Sequence, residues 1–101
     1  MNTIKSVNHD EMIPLKFHLS QNYPNPFKEK TSIKYCAPYK TEITITVYNS
    51  NGLLIERLLK KEQEAGTFEV EFDGTDLPGG LYYCQINAGN YTAVKKMLLM
   101  K

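Results

Sequence analysis

Three stretches of the chain alternate between apolar and polar side chains with a period of two. In Thr31–Ala37, Ile33, Tyr35 and Ala37 fall on one side; in Glu42–Tyr48, Ile43, Ile45 and Val47 oppose Thr44 and Thr46. Thr67–Asp73 sets Phe68, Val70 and Phe72 against Glu69 and Glu71, and Leu81–Asn87 and Tyr91–Met100 complete the set. Successive side chains of a strand point to opposite faces, so this is the pattern of half-buried antiparallel strands. The intervals hold turn formers: Asn51-Gly52, Ala65-Gly66, Asp73-Gly74, Pro78-Gly79-Gly80 and Ala88-Gly89-Asn90. Short strands punctuated at intervals of about ten residues predict a β-sandwich rather than a parallel α/β sheet.

Two segments depart from that pattern. Residues 53–64 are rich in good helix formers; Leu54 and Leu58, like Ile55 and Leu59, recur at helical spacing, and Gly66 stands where a helix would stop. A lone helix among strands would leave a sheet edge unpaired, so 53–59 is expected as a strand. Residues 1–16 have no sustained period, mixed charge and a proline at 14, and read as a leader or linker remnant ahead of a domain over 17–101.

Composition narrows the function classes. With 101 residues, 42% of them hydrophobic, the chain can build one core without a metal or disulfide scaffold. Its 12 Lys+Arg against 11 Asp+Glu give a formal charge of +1, which lacks the cationic footprint of a duplex nucleic-acid binder. No apolar run approaches the roughly 20 residues of a transmembrane segment. Met1–Asp10 lack the apolar stretch of a secretory signal peptide, so an exported form is expected to be part of a larger polypeptide that supplies one.

Candidate chemistry is sparse. His9 and His18 have no Cys or carboxylate at ligand spacing. Asp73-Gly74-Thr75-Asp76 offers two carboxylates of a calcium loop without the remaining oxygen ligands, and reads as a solvated turn. Asn90-Tyr91-Thr92 is a glycosylation acceptor by pattern only. There is no nucleophile motif, phosphate-cradling loop or acid–base pair, so a non-enzyme without cofactor or metal is expected. Cys36 and Cys84 leave two alternatives open, a bridge in an oxidising compartment or two separate thiols. Against a bridge, Cys36 has the opposite parity to Ile33 and Tyr35, and there is no Trp to pack on one.

Several ordered motifs resemble the C-terminal sorting domains of the type IX (Por) secretion system of Bacteroidetes. Gln21-Asn22-Tyr23-Pro24-Asn25-Pro26-Phe27, after Phe17-His18-Leu19-Ser20, is similar to the opening of that family. Thr31–Tyr35, Val47-Tyr48 with Asn51-Gly52, Ala65-Gly66-Thr67-Phe68, Phe72-Asp73-Gly74 and Leu77-Pro78-Gly79-Gly80-Leu81-Tyr82 follow in register. Lys95-Lys96-Met97-Leu98-Leu99-Met100-Lys101 resembles its terminal motif, so the likeness covers about residues 17–101.

The resemblance implies an all-β, immunoglobulin-like antiparallel β-sandwich of about seven strands that acts as a non-catalytic secretion and sorting signal. It implies recognition by type IX machinery at the outer membrane, removal by a sortase-like protease, and passage through the periplasm to the cell surface or extracellular space. It assigns translocon recognition to Gly80, Tyr82, Lys95, Lys96, Met97, Leu99 and Lys101. The structural motif it assigns comprises Tyr23, Pro24, Asn25, Pro26, Phe27, Gly52, Asp73 and Gly74. A monomer without nucleic-acid partner is expected.

The residues themselves admit two readings of each motif. Pro24 and Pro26 fix φ and remove donors, making a stiff arm with Tyr23 and Phe27 as anchors, either architectural or recognised. Tyr82 stands two residues before Cys84, the spacing of a tyrosine corner, and is expected to tie down a neighbouring connection. Lys95, Lys96 and Lys101 either protect an edge strand or flank an exposed tail that a translocon pairs with through its main chain. The alternative function is an accessory adhesion or carbohydrate-binding module, which needs several tyrosines exposed together.

Overall fold

Every alternating stretch is a strand in the computed structural model, which describes residues 13–101. In chain order the strands are β1 (His18–Leu19), β2 (Lys30–Ala37), β3 (Thr41–Asn49), β4 (Leu54–Gln63), β5 (Gly66–Asp73), β6 (Gly80–Ala88) and β7 (Tyr91–Leu99). All pair antiparallel, in a three-stranded sheet ordered β1-β2-β5 and a four-stranded sheet ordered β4-β3-β6-β7. The expected all-β sandwich of seven strands is therefore present, with no helix among the described residues. Its fourth strand pairs with β3 rather than joining β1, β2 and β5, unlike the constant-type immunoglobulin division. Residues 1–12 of the expected leader lie outside the described residues.

The inner faces are those that the alternation marks. Ile33, Tyr35 and Ala37 of β2 and Phe72 of β5 meet Ile43, Ile45 and Val47 of β3, with Tyr82, Cys84, Ile86, Met97 and Leu99 from β6 and β7, all buried. Each large apolar side chain fully removed from water contributes about 1.5–3 kcal/mol. Thr46 points outward as its parity requires, yet it too is buried, because it lies on a central strand between Arg57 and Gln85.

β4 shows how a helical spacing is accommodated in a strand. It is longer than the expected 53–59, and two register shifts against β3 leave Leu58 and Ile55 as extra residues. Each bulge resets the parity, so Ile55, Leu58 and Leu59 all pack against the core despite their three- and four-residue spacing. The β3–β4 turn places Gly52 at φ +84, a conformation that side-chain-bearing residues rarely adopt. Asn49 closes this turn by accepting from the Asn51 and Leu53 amides at 2.9 and 3.0 Å.

Cys36 and Cys84 are both free thiols, so the bridged alternative is not formed. Parity separates them: half-buried Cys36 sits beside Thr67 on the outer face of the smaller sheet, its Sγ 3.5 Å from the hydroxyl, whereas Cys84 is in the core. Burial pushes the Cys84 thiol up to about 12 and raises the Tyr35 hydroxyl, because the interior disfavours the ionised form. Both groups support the fold while neutral. Their contribution is complete below the unfolded-state values of about 8.5 and 10 and is lost as pH climbs toward the folded values. The urea midpoint is therefore expected to fall from about pH 9 upward, with the earliest part of that fall absent in Cys84→Ala. In the native protein a thiol reagent should label Cys36 and spare Cys84 until urea unfolds the chain.

Candidate functional site

The terminal strand β7 divides its side chains between packing and display. Met97 and Leu99 enter the core, whereas Thr92, Val94, Lys96, Leu98 and Met100 are exposed. Lys95 shares the inward parity, opposite Cys84, and is half-buried. One lateral edge of β7 pairs with β6 along its whole length, including Gly80 opposite Leu99.

The other edge is covered by the Asn-Pro arm between β1 and β2. Phe27 forms a parallel bridge to Leu99: its amide donates to the Leu98 carbonyl at 2.9 Å, and its carbonyl accepts from the Met100 amide at 2.8 Å. Asn25 Oδ1 accepts from the Leu98 amide at 3.0 Å, and the Gln21 side-chain amide donates to the Lys96 carbonyl. Main-chain pairing by an incoming strand, one of the two expected readings, is thus pre-empted along Lys96–Met100 by the chain's own arm. The prolines make the arm suitable for this one-sided pairing, since neither has an amide to leave unsatisfied. Both bonds preceding them, Tyr23–Pro24 and Asn25–Pro26, are cis.

Only one of the two expected anchors is buried. Phe27 packs edge-on against Phe72 at 6.0 Å between ring centroids, and Phe72 lies 6.2 Å from Tyr82. Tyr23 is instead 81% exposed, because its amide and carbonyl both bond Ser32 at 2.9 Å and its side chain turns out to solvent. The inward anchor beside it is polar. Asn22, only 3% exposed, donates from Nδ2 to the Pro24 carbonyl at 3.1 Å and to Thr31 Oγ1 at 2.9 Å. Thr31 Oγ1 donates to the same carbonyl at 2.8 Å, and Gln21 Nε2 donates to Asn22 Oδ1 at 2.7 Å. Buried polar groups are tolerated only when bonded in this way. The sequence signal for Asn22 and Thr31 is weak, since neither residue type is ordinarily buried.

The turns close on the same strand. A Cβ on Gly74 would stand 3.0 Å from Leu99 Cδ2 and 3.2 Å from Phe27 Cε2. One on Gly79 would stand 3.0 Å from Lys101 Cγ and 3.3 Å from the Leu99 carbonyl, so a side chain at either turn would press on the tail. Tyr82 donates its hydroxyl to the Pro78 carbonyl at 2.7 Å, the tyrosine-corner geometry, and steadies the turn that carries Gly79. Lys101 Nζ reaches the Thr75 carbonyl at 2.7 Å. Asp73 accepts from the Thr75 hydroxyl and amide, which hold its carboxyl below the usual range. This is a solvated turn, and among the described residues no cluster of three or more potential metal ligands occurs.

Of the residues assigned to recognition, Tyr82, Met97 and Leu99 are therefore in the interior of the folded domain, while Lys96 and Lys101 are at its surface. Phe27→Ala is expected to cost about 3–5 kcal/mol, and Asn22→Ala about 1–3 kcal/mol through unsatisfied partners. Exposed Tyr23→Ala should stay within about 0.5 kcal/mol; urea unfolding at constant slope ranks the three.

No curated protein matches the chain. Its residues 21–100 match the secretion system C-terminal sorting domain, a span running from the arm that clasps β7 through β7 itself. Each shared motif that touches the tail lies inside that span, and the chain belongs to this family of sorting signals for type IX secretion.

Proposed function

We propose that this domain is a folded delivery label, read by the type IX machinery at the terminal strand and the surface around it, and cut away by a sortase-like protease after delivery. Membership of the sorting family implies interaction with type IX machinery and export to the cell surface or extracellular space. Within that function, recognition centres on Lys95–Lys101. The observation carrying this reading is convergence: the Asn25 side chain, the Phe27 backbone, Gly74, Gly79 and Thr75 all contact residues 98–101. Such convergence fixes the tail in one conformation, which lowers the ordering penalty when a partner binds it.

Direct contact falls to Lys96 and Lys101, while Gly80, Tyr82, Met97 and Leu99 shape the strand that presents them. Lys95 stands at the margin of the inner face. The domain acts as a monomer: the other edge of the larger sheet, β4, carries two bulges and Glu56, Arg57, Lys60, Lys61 and Glu62, features that discourage strand pairing between copies.

The full 101-residue chain fused behind a Sec-exported reporter is expected to bring that reporter to the surface of a Bacteroidetes host, trimmed of the domain. The same fusion should remain periplasmic in a strain lacking the type IX translocon. Retention of a folded fusion in the competent host would reject the sorting role, and surface delivery without trimming would reject the protease step.

A further inference from the structure

The two outer faces of the sandwich differ in how they treat charge. On the three-stranded sheet, lysines face acids across the strands: Lys30 is opposite Asp73 and Lys34 opposite Glu69. On the four-stranded sheet, Arg57 stands opposite Thr46, and Lys96 opposite Tyr83. Lys60 likewise stands opposite an uncharged residue, Thr44. The faces thus differ in what their cations meet across the strands rather than in ion pairs, since the one salt bridge among the described residues joins Lys40 and Glu64. The carboxylates of this face, Glu42 and Glu62, are opposite each other near the far end of β3 and β4.

The same face bears an apolar stripe. One row runs across all four strands as Leu54, Tyr48, Tyr83 and Lys96. Leu81 and Leu98 form the neighbouring pair on β6 and β7, and Val94 lies on the other side opposite Gln85. Leu54 is 55% exposed and Val94 49%; Tyr48, Tyr83 and Leu81 are half-buried. Scattered exposed apolar residues need no explanation, whereas apolar side chains gathered in one strip and rimmed by polar groups have the form of an interaction surface. Tyrosine and arginine are also the residue types enriched where protein interfaces concentrate their binding energy.

We infer that the outer face of the four-stranded sheet docks a protein of the export machinery through a contact strip of apolar side chains flanked by carboxylates. The inference rests on the sorting function and identifies the partner's chemistry. The cations at Arg57 and Lys96, with no acid opposite them, choose an acidic partner and reject a basic one, since like charges brought together at an interface are strongly unfavourable. Lys96 belongs to both the terminal motif and this face, so one docking event reads the tail and the sheet together.

The test uses the same fusion of the full chain to an exported reporter. Arg57→Glu with Lys96→Glu is expected to lower surface delivery by about tenfold or more, with an unchanged urea midpoint. Lys30→Glu with Lys34→Glu makes the same change in net charge on the opposite face and should leave delivery intact. Tyr83→Ser gives an uncharged variant expected to reduce delivery as well. Delivery of the unaltered fusion together with undiminished delivery of the Arg57/Lys96 and Tyr83 variants overturns the inference while leaving the sorting function standing. Failure of the unaltered, folded fusion to be delivered rejects the sorting function, and this inference with it. A dimer abolished by Tyr83→Ser would assign the face to a second copy, and glycan binding abolished by it, with delivery intact, would assign the face to a carbohydrate. Either result overturns the inference.

Discussion

The structure depends on the contact between Phe27 and the strand that ends at Leu99. These residues are far apart in sequence, yet both are almost wholly buried, and their backbones form a parallel bridge. Phe27 continues through Phe72 to Tyr82, so one aromatic series links the arm, the smaller sheet and the larger sheet. Fully burying Phe27 and Leu99 contributes about 3–6 kcal/mol together, a large share of the roughly 5–15 kcal/mol that stabilises a domain of this size. The tail is thus a structural strand, and the recognition proposed for it adds a second duty.

That double duty is possible because a strand has two faces and two edges. Met97 and Leu99 hold the tail down, while Lys96, Leu98 and Met100, one residue away from each, face solvent. Substitution at the second set alters the surface while leaving the core intact, so under the proposed recognition binding and stability can vary separately along seven residues. The bare backbones at Gly74 and Gly79 serve the packing side of this division by letting two turns approach Leu99 and Lys101 closely.

Local alternation made most of the fold legible. The buried sets Ile33, Tyr35, Ala37 and Ile43, Ile45, Val47 can be read directly from the period of two. β4 was harder, since Ile55, Leu58 and Leu59 carry a helical spacing that only two bulges reconcile with a strand, and bulges depend on pairing with β3. The candidate site was legible as motifs but not as geometry. Tyr23 looks the natural anchor and Asn22 a loop residue, yet their roles are exchanged. Which of two neighbours turns inward is set by the Tyr23–Ser32 backbone pairing and by the bonds Thr31 and Pro24 offer to an amide. The covered edge of β7 is likewise invisible locally, because the covering residues precede it by about as many residues as separate Asn25 from Leu98.

The clasp also bears on how the tail would be read under the proposed recognition. An incoming strand would need the amides and carbonyls of residues 96–100, and the arm already holds the Lys96 and Leu98 carbonyls and the Leu98 and Met100 amides. Freeing them means giving up four hydrogen bonds, each worth about 0.5–1.5 kcal/mol net, and re-exposing Phe27 at about 1.5–3 kcal/mol. Even where the new strand restores the hydrogen bonds, the exposed aromatic ring alone weakens binding by about tenfold to a hundredfold. Reading side chains on the outer face incurs no such penalty. A folded label with a clasped edge therefore favours a partner that recognises a surface over one that extends a sheet.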